Sequence, residues 1–355
     1  MRGAPRQCAA GRAARSAEHE QRSARCAGPE RGRAGVVRKG TLTGAVLLAT
    51  GLAGGAQELR AAEGGVGFYL LGTRSAQAGI LPPPGTYLQN DAYFYSGSAS
   101  AGQDLPLGGR AVADIDATAF IDLITALWVL PETVLGGNLA VLGTLPVGAQ
   151  DIDAALALQG GGPGAAVSDS VFTVGDPVLG ASLGWHAGKL HWTTGVLVNV
   201  PLGDYTSGDI ANVAFHRWGL DVAGALTWFD PQSGWDLSAS AGMTFNGENP
   251  DTDYRTGTEL HLEGAVTNQI TPAFSAGLAG YYYEQVSGDS GAGATLGSFK
   301  GRVAALGVTA AYNFAVGSTP VAARLRVYRE FATRNRLDGV AGFLTLTIPI
   351  GLSAP

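Results

Sequence analysis

Cysteine is nearly missing. The chain of 355 residues has two, Cys8 and Cys26, and none after position 62. A disulfide framework and a thiolate metal centre are thereby excluded from the main body, which is compatible with passage through an oxidising compartment. Methionine is as scarce, with two. No stretch of convincing length carries helix-period apolar spacing. The one continuous apolar run, Leu42 to Ala56, is too short to cross a bilayer as a helix. Basic residues are also few: from Glu63 onward twelve Lys and Arg face twenty-five Asp and Glu, a net charge of −13 where the whole chain shows −6. Phosphate binding needs basic surface, so no nucleic-acid partner is expected. No ATP-binding loop, redox-cofactor motif or metal cage stands out, so no cofactor and no metal are expected either.

What is abundant is glycine, 54 residues of it, with many Ala, Thr, Val and Leu. That is poor material for helices and good material for turns and pleated surfaces. The connections alternate in length. Short ones at Pro131-Glu132, Gly188-Lys189, Asp230 to Ser233, Asn268 to Thr271 and Ala315 to Ser318 interleave with long ones. The long ones are Ser98 to Gly108, Gly160 to Ser170, Asp204 to Asn212, Gly247 to Asp253, Ser287 to Gly297 and Ala332 to Asp338. Transmembrane β-barrels are built this way, with tight periplasmic turns and longer external loops. Eleven connections give about twelve strands, so the expected fold is all-β, a closed antiparallel transmembrane barrel over residues 85–351. Arg38-Lys39, the apolar run and the small residues after it read as a signal peptide over 36–62. Residues 1–35 read as a basic disordered extension or a mis-called start. Residues 63–84 read as an N-terminal periplasmic segment.

The division of faces carries the argument. Trp218, Leu220, Val222, Gly224, Leu226 and Trp228 share one face, opposite Asp221, Ala223, Ala225 and Thr227. About ten residues tilted near 40° rise roughly 25 Å, the height of a barrel's apolar band, with a Trp at each end. Glu259, His261, Glu263 and Thr267 likewise oppose Leu260, Leu262 and Val266, and Arg324, Arg326, Tyr328 and Glu330 oppose Leu325 and Val327. Asp114, Asp116 and Asp122 oppose Ile115, Ile121 and Leu123. Charge is cheap in a wet lumen and costs about 2 to 4 kcal/mol for a midplane Arg or Lys toward lipid. The expected lumen residues are therefore Asp114, Asp116, Asp122, Asp221, Glu259, His261, Glu263, Arg302, Arg324 and Arg326. Tyr87, Tyr93 and Phe120 are expected to point inward with them. The expected aromatic girdle is Trp185, Trp192, Trp218 and Trp228. Gly188 first in a two-residue turn pairs His186 with His191 and Trp185 with Trp192; two histidines alone make a weak metal site, and a solvated pair is the expectation.

Ala78-Gly79-Ile80-Leu81-Pro82-Pro83-Pro84-Gly85-Thr86-Tyr87-Leu88, then Gly175-Asp176-Pro177, Pro201-Leu202-Gly203-Asp204-Tyr205 and Gly280-Tyr281-Tyr282-Tyr283-Glu284-Gln285-Val286, resemble the family named for the "MetA-pathway of phenol degradation". The resemblance runs from about residue 64 to 351. It implies an outer-membrane barrel of a Gram-negative cell, loosely linked to aromatic metabolism, with no catalytic residues to carry over. The end, Thr347 to Pro355, departs from the terminal aromatic residue that barrel assembly machinery reads.

Two enzyme-like patterns weigh little. Gly180-Ala181-Ser182-Leu183-Gly184 fits a nucleophile elbow only at a strand-to-helix turn, and Gly288-Asp289-Ser290-Gly291 has no matching histidine. Glu259, His261 and Glu263 could move protons, but on a strand they form one inward face. The expected function is a passive outer-membrane channel for small molecules, aromatic or hydrophobic ones included, not an enzyme. Its acidic lumen would favour neutral or cationic solutes. Outer-membrane lipid, a small-molecule solute and the assembly machinery are the expected partners. A lipase-like enzyme and a closed structural or adhesin barrel are the alternatives.

Overall fold

The structure is a computed structural model that describes residues 66–99, 105–107, 110–156, 166–294, 298 and 300–352. The expected extension, signal peptide and cleavage site lie outside the described residues. In chain order the strands are β1 (Gly85–Ala99), β2 (Leu105–Leu107), β3 (Arg110–Val134), β4 (Gly137–Leu156), β5 (Ala166–Val174) and β6 (Val178–Ala187). There follow β7 (Leu190–Asn199), β8 (Gly219–Phe229), β9 (Trp235–Asn246), β10 (Glu248–Asn249), β11 (Tyr254–Arg255) and β12 (Glu259–Gln269). The last four are β13 (Phe274–Gln285), β14 (Arg302–Val316), β15 (Thr319–Arg334) and β16 (Asp338–Leu352).

Every wall pairing is antiparallel, and the sheet closes because β1 pairs with β16 on one edge and with β3 on the other. β5 and β6 both pair with β4 and are one wall strand broken at Gly175-Asp176-Pro177. The wall is thus a closed barrel of twelve strands. Closure leaves the twelve-stranded ring without an open edge, the condition for crossing lipid with strands; only the outer segments β2 and β5 pair on one side alone. Because Pro177 supplies no N–H, the ladder lapses at the break, and Val200 and Asp204 of the following loop donate their amides to the carbonyls of Pro177 and Val174.

The short connections fall on one end, at Leu135-Gly136, Gly188-Lys189, Asp230 to Gly234, Ile270 to Ala273 and Gly317-Ser318. The first is a correction: Pro131-Glu132 is not the turn. β3 runs on to Val134, with Pro131 in a register shift between Val129 and Thr133, and Leu135 and Gly136 take the positive φ values (50° and 74°) of a tight hairpin. Gly188 does turn the next hairpin at φ 60°, pairing Trp185 with Trp192 and His186 with His191. The indoles stack at 6.3 Å, and Trp185 Nε1 donates to the Leu135 carbonyl of the neighbouring turn. Trp228 and Trp235 are exposed at this same end, and Trp218 is exposed at the other end of β8.

Along β8, β12 and β15 most large aliphatic residues are outward, and the polar ones share the inner face with small alanines; Val321, near the turn, is buried. Leu220, Val222, Leu226, Leu262, Val266, Leu325 and Val327 are all exposed, whereas Asp221, Thr227, Glu259, His261, Glu263 and Arg326 are buried. On the outer half of β3 the faces run the other way. Ile115 and Ala117 are buried with Ile152, Ala154 and Ala211, while Asp116, Asp151 and Asp153 are exposed. β3 has 25 residues, about 60 Å of rise at the usual tilt, so its outer half stands clear of an apolar band of about 25 Å. There water lies outside and the inner face packs on a loop, so the ordinary soluble arrangement returns.

Leu278 is 67% exposed about four residues up β13, well inside the apolar band. Leu278→Arg should cost about 2 to 4 kcal/mol, measured by unfolding in liposomes. A cost no greater than that of Leu278→Ala would contradict a lipid-facing wall.

Candidate functional site: a plugged lumen with an apolar cavity

The segment 66–84 is inside the barrel. This corrects the expected periplasmic segment 63–84, and hydrogen bonds to inward wall residues settle the point. Gly79, at the periplasmic end, donates its N–H to Thr227 Oγ1 and lies so close to the wall that a Cβ would come within 2.7 Å of the His191 carbonyl. Gln77 N donates to Ser238 Oγ at 2.9 Å, and Arg74 N to Glu263 Oε2 at 2.9 Å. Tyr69 donates its phenolic proton to Glu263 Oε1 at 2.6 Å and stacks on the His261 ring at 3.7 Å. Gly67 lies against Glu259, at the outer end of β12. The segment therefore runs the height of the barrel as a plug.

Two arginines of β15 hold it through its carbonyls. Arg324 Nη1 donates to Ala76 O at 2.7 Å, and Arg326 Nη1 to Gly72 O at 3.0 Å and to Thr73 O. Arg326 Nη2 also pairs with Asp91 at 2.8 Å and lies over the Phe343 ring at 4.6 Å. Fixed guanidinium forks suit this work, since each supplies several donors in one plane. Beside Tyr69, His261 Nε2 is 2.7 Å from Asp221 Oδ2, which also accepts from Thr244 Oγ1. Glu259 accepts from Tyr283 at 2.7 Å, and Glu330 from Tyr95 and Tyr281 at 2.8 Å each.

Of the residues expected in the lumen, Asp221, Glu259, His261, Glu263, Arg324 and Arg326 line it, as do Tyr87 and Tyr93. Asp116, Asp122, Arg302 and Phe120 do not. Asp116 faces water above the apolar band. Asp122 is on the outward face of β3, shielded by a hydrogen bond from Asn90 Nδ2 at 2.9 Å; acidic groups there cost less than basic ones. Phe120 is outward too, 4.9 Å from Phe94. Arg302 shares the outward parity of Leu306 and Val308, at the rim of β14 where a charge can reach headgroups. The side chain of Asp114 lies outside the described residues. Ser182 is in the unbroken strand β6, and Asp289 of the Gly-Asp-Ser-Gly stretch is a buried acceptor for Tyr254, Gln285 and Gly257. Sequence reasoning missed Tyr69, Arg74 and the carbonyls of Gly72, Thr73 and Ala76. Their only trace is a glycine- and proline-rich stretch retained ahead of the first strand.

The loop 200–218 folds inward and is latched by Asp176 at the break in the wall. This buried carboxylate accepts from Asn199 Nδ2, Gly203 N, Phe215 N and His216 N, each at 2.9 to 3.0 Å. Burial pushes the Arg217 guanidinium of this loop down to about 10, which leaves it charged at neutral pH.

Between plug, loop and the wall of β1, β3, β4, β6 and β7 is a cavity of about 260 Å³. Phe68, Leu70, Tyr93, Ile121, Leu142, Leu197 and Phe215 give it an apolar lining. Most of its polar groups are engaged by protein partners: Asp91 by Arg326 and Gln89, Asp176 by the loop, Gln150 by Asn212 N, and Thr125 by Thr144; the buried Asn199 Oδ1 is the exception among them. Among the described residues no cluster of three His, Cys, Asp or Glu could hold a metal.

The family model described as "Putative MetA-pathway of phenol degradation" matches residues 101–346. The chain belongs to this family. Of solved structures, the COG4313 outer membrane channel from Pseudomonas putida F1 is similar at a TM-score of 0.61 and 16% identity, covering 77% of this chain and 97% of that one. At that identity the likeness shows the fold. The translocator domain of autotransporter NalP from Neisseria meningitidis (TM-score 0.39, 10% identity, 76% and 90% covered) and a Pseudomonas aeruginosa FadL homologue (0.36, 9%, 77% and 94%) are too distant to argue from. No curated protein matches the chain.

Arg326→Gln leaves Asp91 buried without its cation, and takes from the Gly72 and Thr73 carbonyls a donor that only Gly72 retains in part, through the Tyr328 hydroxyl at 3.2 Å. The expected cost is about 3 to 5 kcal/mol, with protease cleavage appearing within 66–84. Asp176→Ala should release the loop, read as new cleavage within 200–218 while the barrel stays folded.

Proposed function

We propose that this chain is a passive outer-membrane channel for small apolar solutes, aromatic ones included, and that it carries no catalytic site. One observation supports this above the rest. The cavity lining is mainly apolar and most of its polar groups are already engaged, so a solute that offers few hydrogen bonds loses least on entering. An apolar cavity of roughly 150 Å³ accommodates benzene, and this one is larger. The family's description points to the same class of molecule. The charged lumen residues hold the plug rather than a passing solute. A cation preference is therefore a weaker expectation than discrimination against any ion, whose desolvation the cavity does not repay.

A lipase-like enzyme would need a serine on the histidine. Among the described residues His261 hydrogen-bonds to Asp221 and to no serine. A closed barrel acting as an anchor draws support from the hydrogen-bonded plug, and planar-bilayer conductance separates it from a channel.

In intact Gram-negative cells expressing the protein, the neutral fluorophore 1-N-phenylnaphthylamine should enter several-fold faster than in cells without it. Its anionic relative 8-anilinonaphthalene-1-sulfonate should gain little. Leu197→Trp, which fills the cavity, should abolish the difference. Equal entry of the two dyes, or indifference to Leu197→Trp, would refute the reading.

A further inference from the structure

The outer ends of β14 and β15 carry a feature that the solute path does not use. In a chain this acidic, Arg302, Arg329 and Arg334 gather on one outward face at the extracellular rim, with Lys300 exposed just before β14, its Nζ donating to the Val286 carbonyl at 2.9 Å. Arg302 is directly opposite Arg334 in the strand register, and like charges in that position repel. The nearby carboxylates do not balance them. Asp338 pairs with Arg329 at 2.8 Å, and Glu284 is 3.9 Å from Arg334 while already accepting the Tyr282 hydroxyl at 2.6 Å. Four cations thus meet two anions. Arg329 and Arg334 keep side-chain exposures of 63% and 48%, and Arg302 Nε is buried without a hydrogen-bond acceptor.

The height of the cluster identifies what it meets. Arg329 is ten residues up from Thr319, about 25 Å of rise, at the outer edge of the apolar band, and Arg334 is about 12 Å higher. On the same face Leu306 is exposed level with Arg329, and Val308, Leu325 and Val327 are exposed below it. A cationic ledge over an apolar stripe matches an amphiphile with an anionic head and acyl chains. The rim of β3 and β4 shows the opposite character, with Asp116 directly facing Asp153 and Asp151 beside them, so such an amphiphile is directed to one side of the barrel.

We propose that the outer rim of the β14–β15 hairpin is a binding site for a phosphorylated glycolipid of the outer leaflet. Its phosphates lie among Arg302, Arg329, Arg334 and Lys300, and its acyl chains run down the Leu306–Leu325 stripe. Guanidinium forks bind phosphate oxygens in pairs, which also relieves the Arg302–Arg334 repulsion. Charged residues facing lipid beside acyl contacts add to the attraction. The inference is independent of which solute the lumen carries.

The test is native mass spectrometry of the full chain in a zwitterionic detergent, titrated with diphosphoryl lipid A, its dephosphorylated form, or inorganic phosphate. Diphosphoryl lipid A should be retained, and the Arg302→Gln, Arg329→Gln, Arg334→Gln triple variant should bind it at least ten-fold more weakly. Arg255→Gln, exposed on another outer loop, should bind as the native chain does. Should the triple variant fail to fold, Arg329→Gln alone should reduce the rise in Tm that lipid A confers. Equal retention of the dephosphorylated lipid, undiminished binding by the variants, or equal stabilisation by inorganic phosphate alone would overturn the assignment.

Discussion

Every other feature of this molecule depends on the pairing of β1 with both β16 and β3. In a medium that supplies no hydrogen-bond partners, a sheet of strands this long is tolerable only when its last edge meets its first. Closure fixes parity, because successive side chains must alternate between lipid and lumen. Once parity is fixed, Asp221, His261, Glu263 and Arg326 have nowhere to go but inward. Their burial in turn demands partners, since a charge enclosed without one is far costlier than one left in water.

The plug meets that demand. Backbone groups of this segment, which is neither helix nor strand, are matched by the side chains of the wall: Glu263 for the Arg74 amide, Arg324 and Arg326 for the carbonyls of Gly72, Thr73 and Ala76. The two sets of polar groups satisfy each other, which ties the segment to the β8–β15 side of the lumen. The opposite side, formed by β1, β3, β4, β6 and β7, is left apolar. Uneven occupation of one cylinder thus produces both the charged, hydrogen-bonded half and the apolar cavity.

Above the apolar band the rules reverse. Ile115, Ile152 and Ala154 turn inward against the loop that Asp176 latches, and aspartates turn outward to water. The break at Gly175-Asp176-Pro177 marks this transition. Its three residues stood out in the sequence by their resemblance to a family pattern, and each has a physical part: Pro177 ends the ladder, Asp176 gathers four donors, and Gly175 packs so tightly that a Cβ would lie 3.0 to 3.2 Å from Pro146 and Val213.

From its sequence alone the chain was determined to be a closed all-β barrel. Period-two alternation along β8, β12 and β15 and the short–long rhythm of the turns are local signals, and the lumen placement of Glu259, His261 and Glu263 follows from them. The outward placement of Asp116 and Arg302 was not legible, because parity says which residues share a face and not which medium that face meets at a given height. Nor was the Leu135-Gly136 turn, since Pro131 read as a breaker when a bulge absorbs it. The contacts of Tyr69 with Glu263 and His261 span more than 190 positions, and no local pattern encodes such a pairing. Only the tertiary structure decided that the lumen is filled, by which segment, and that its charges hold protein rather than solute, because those facts arise from distant stretches meeting inside a closed wall.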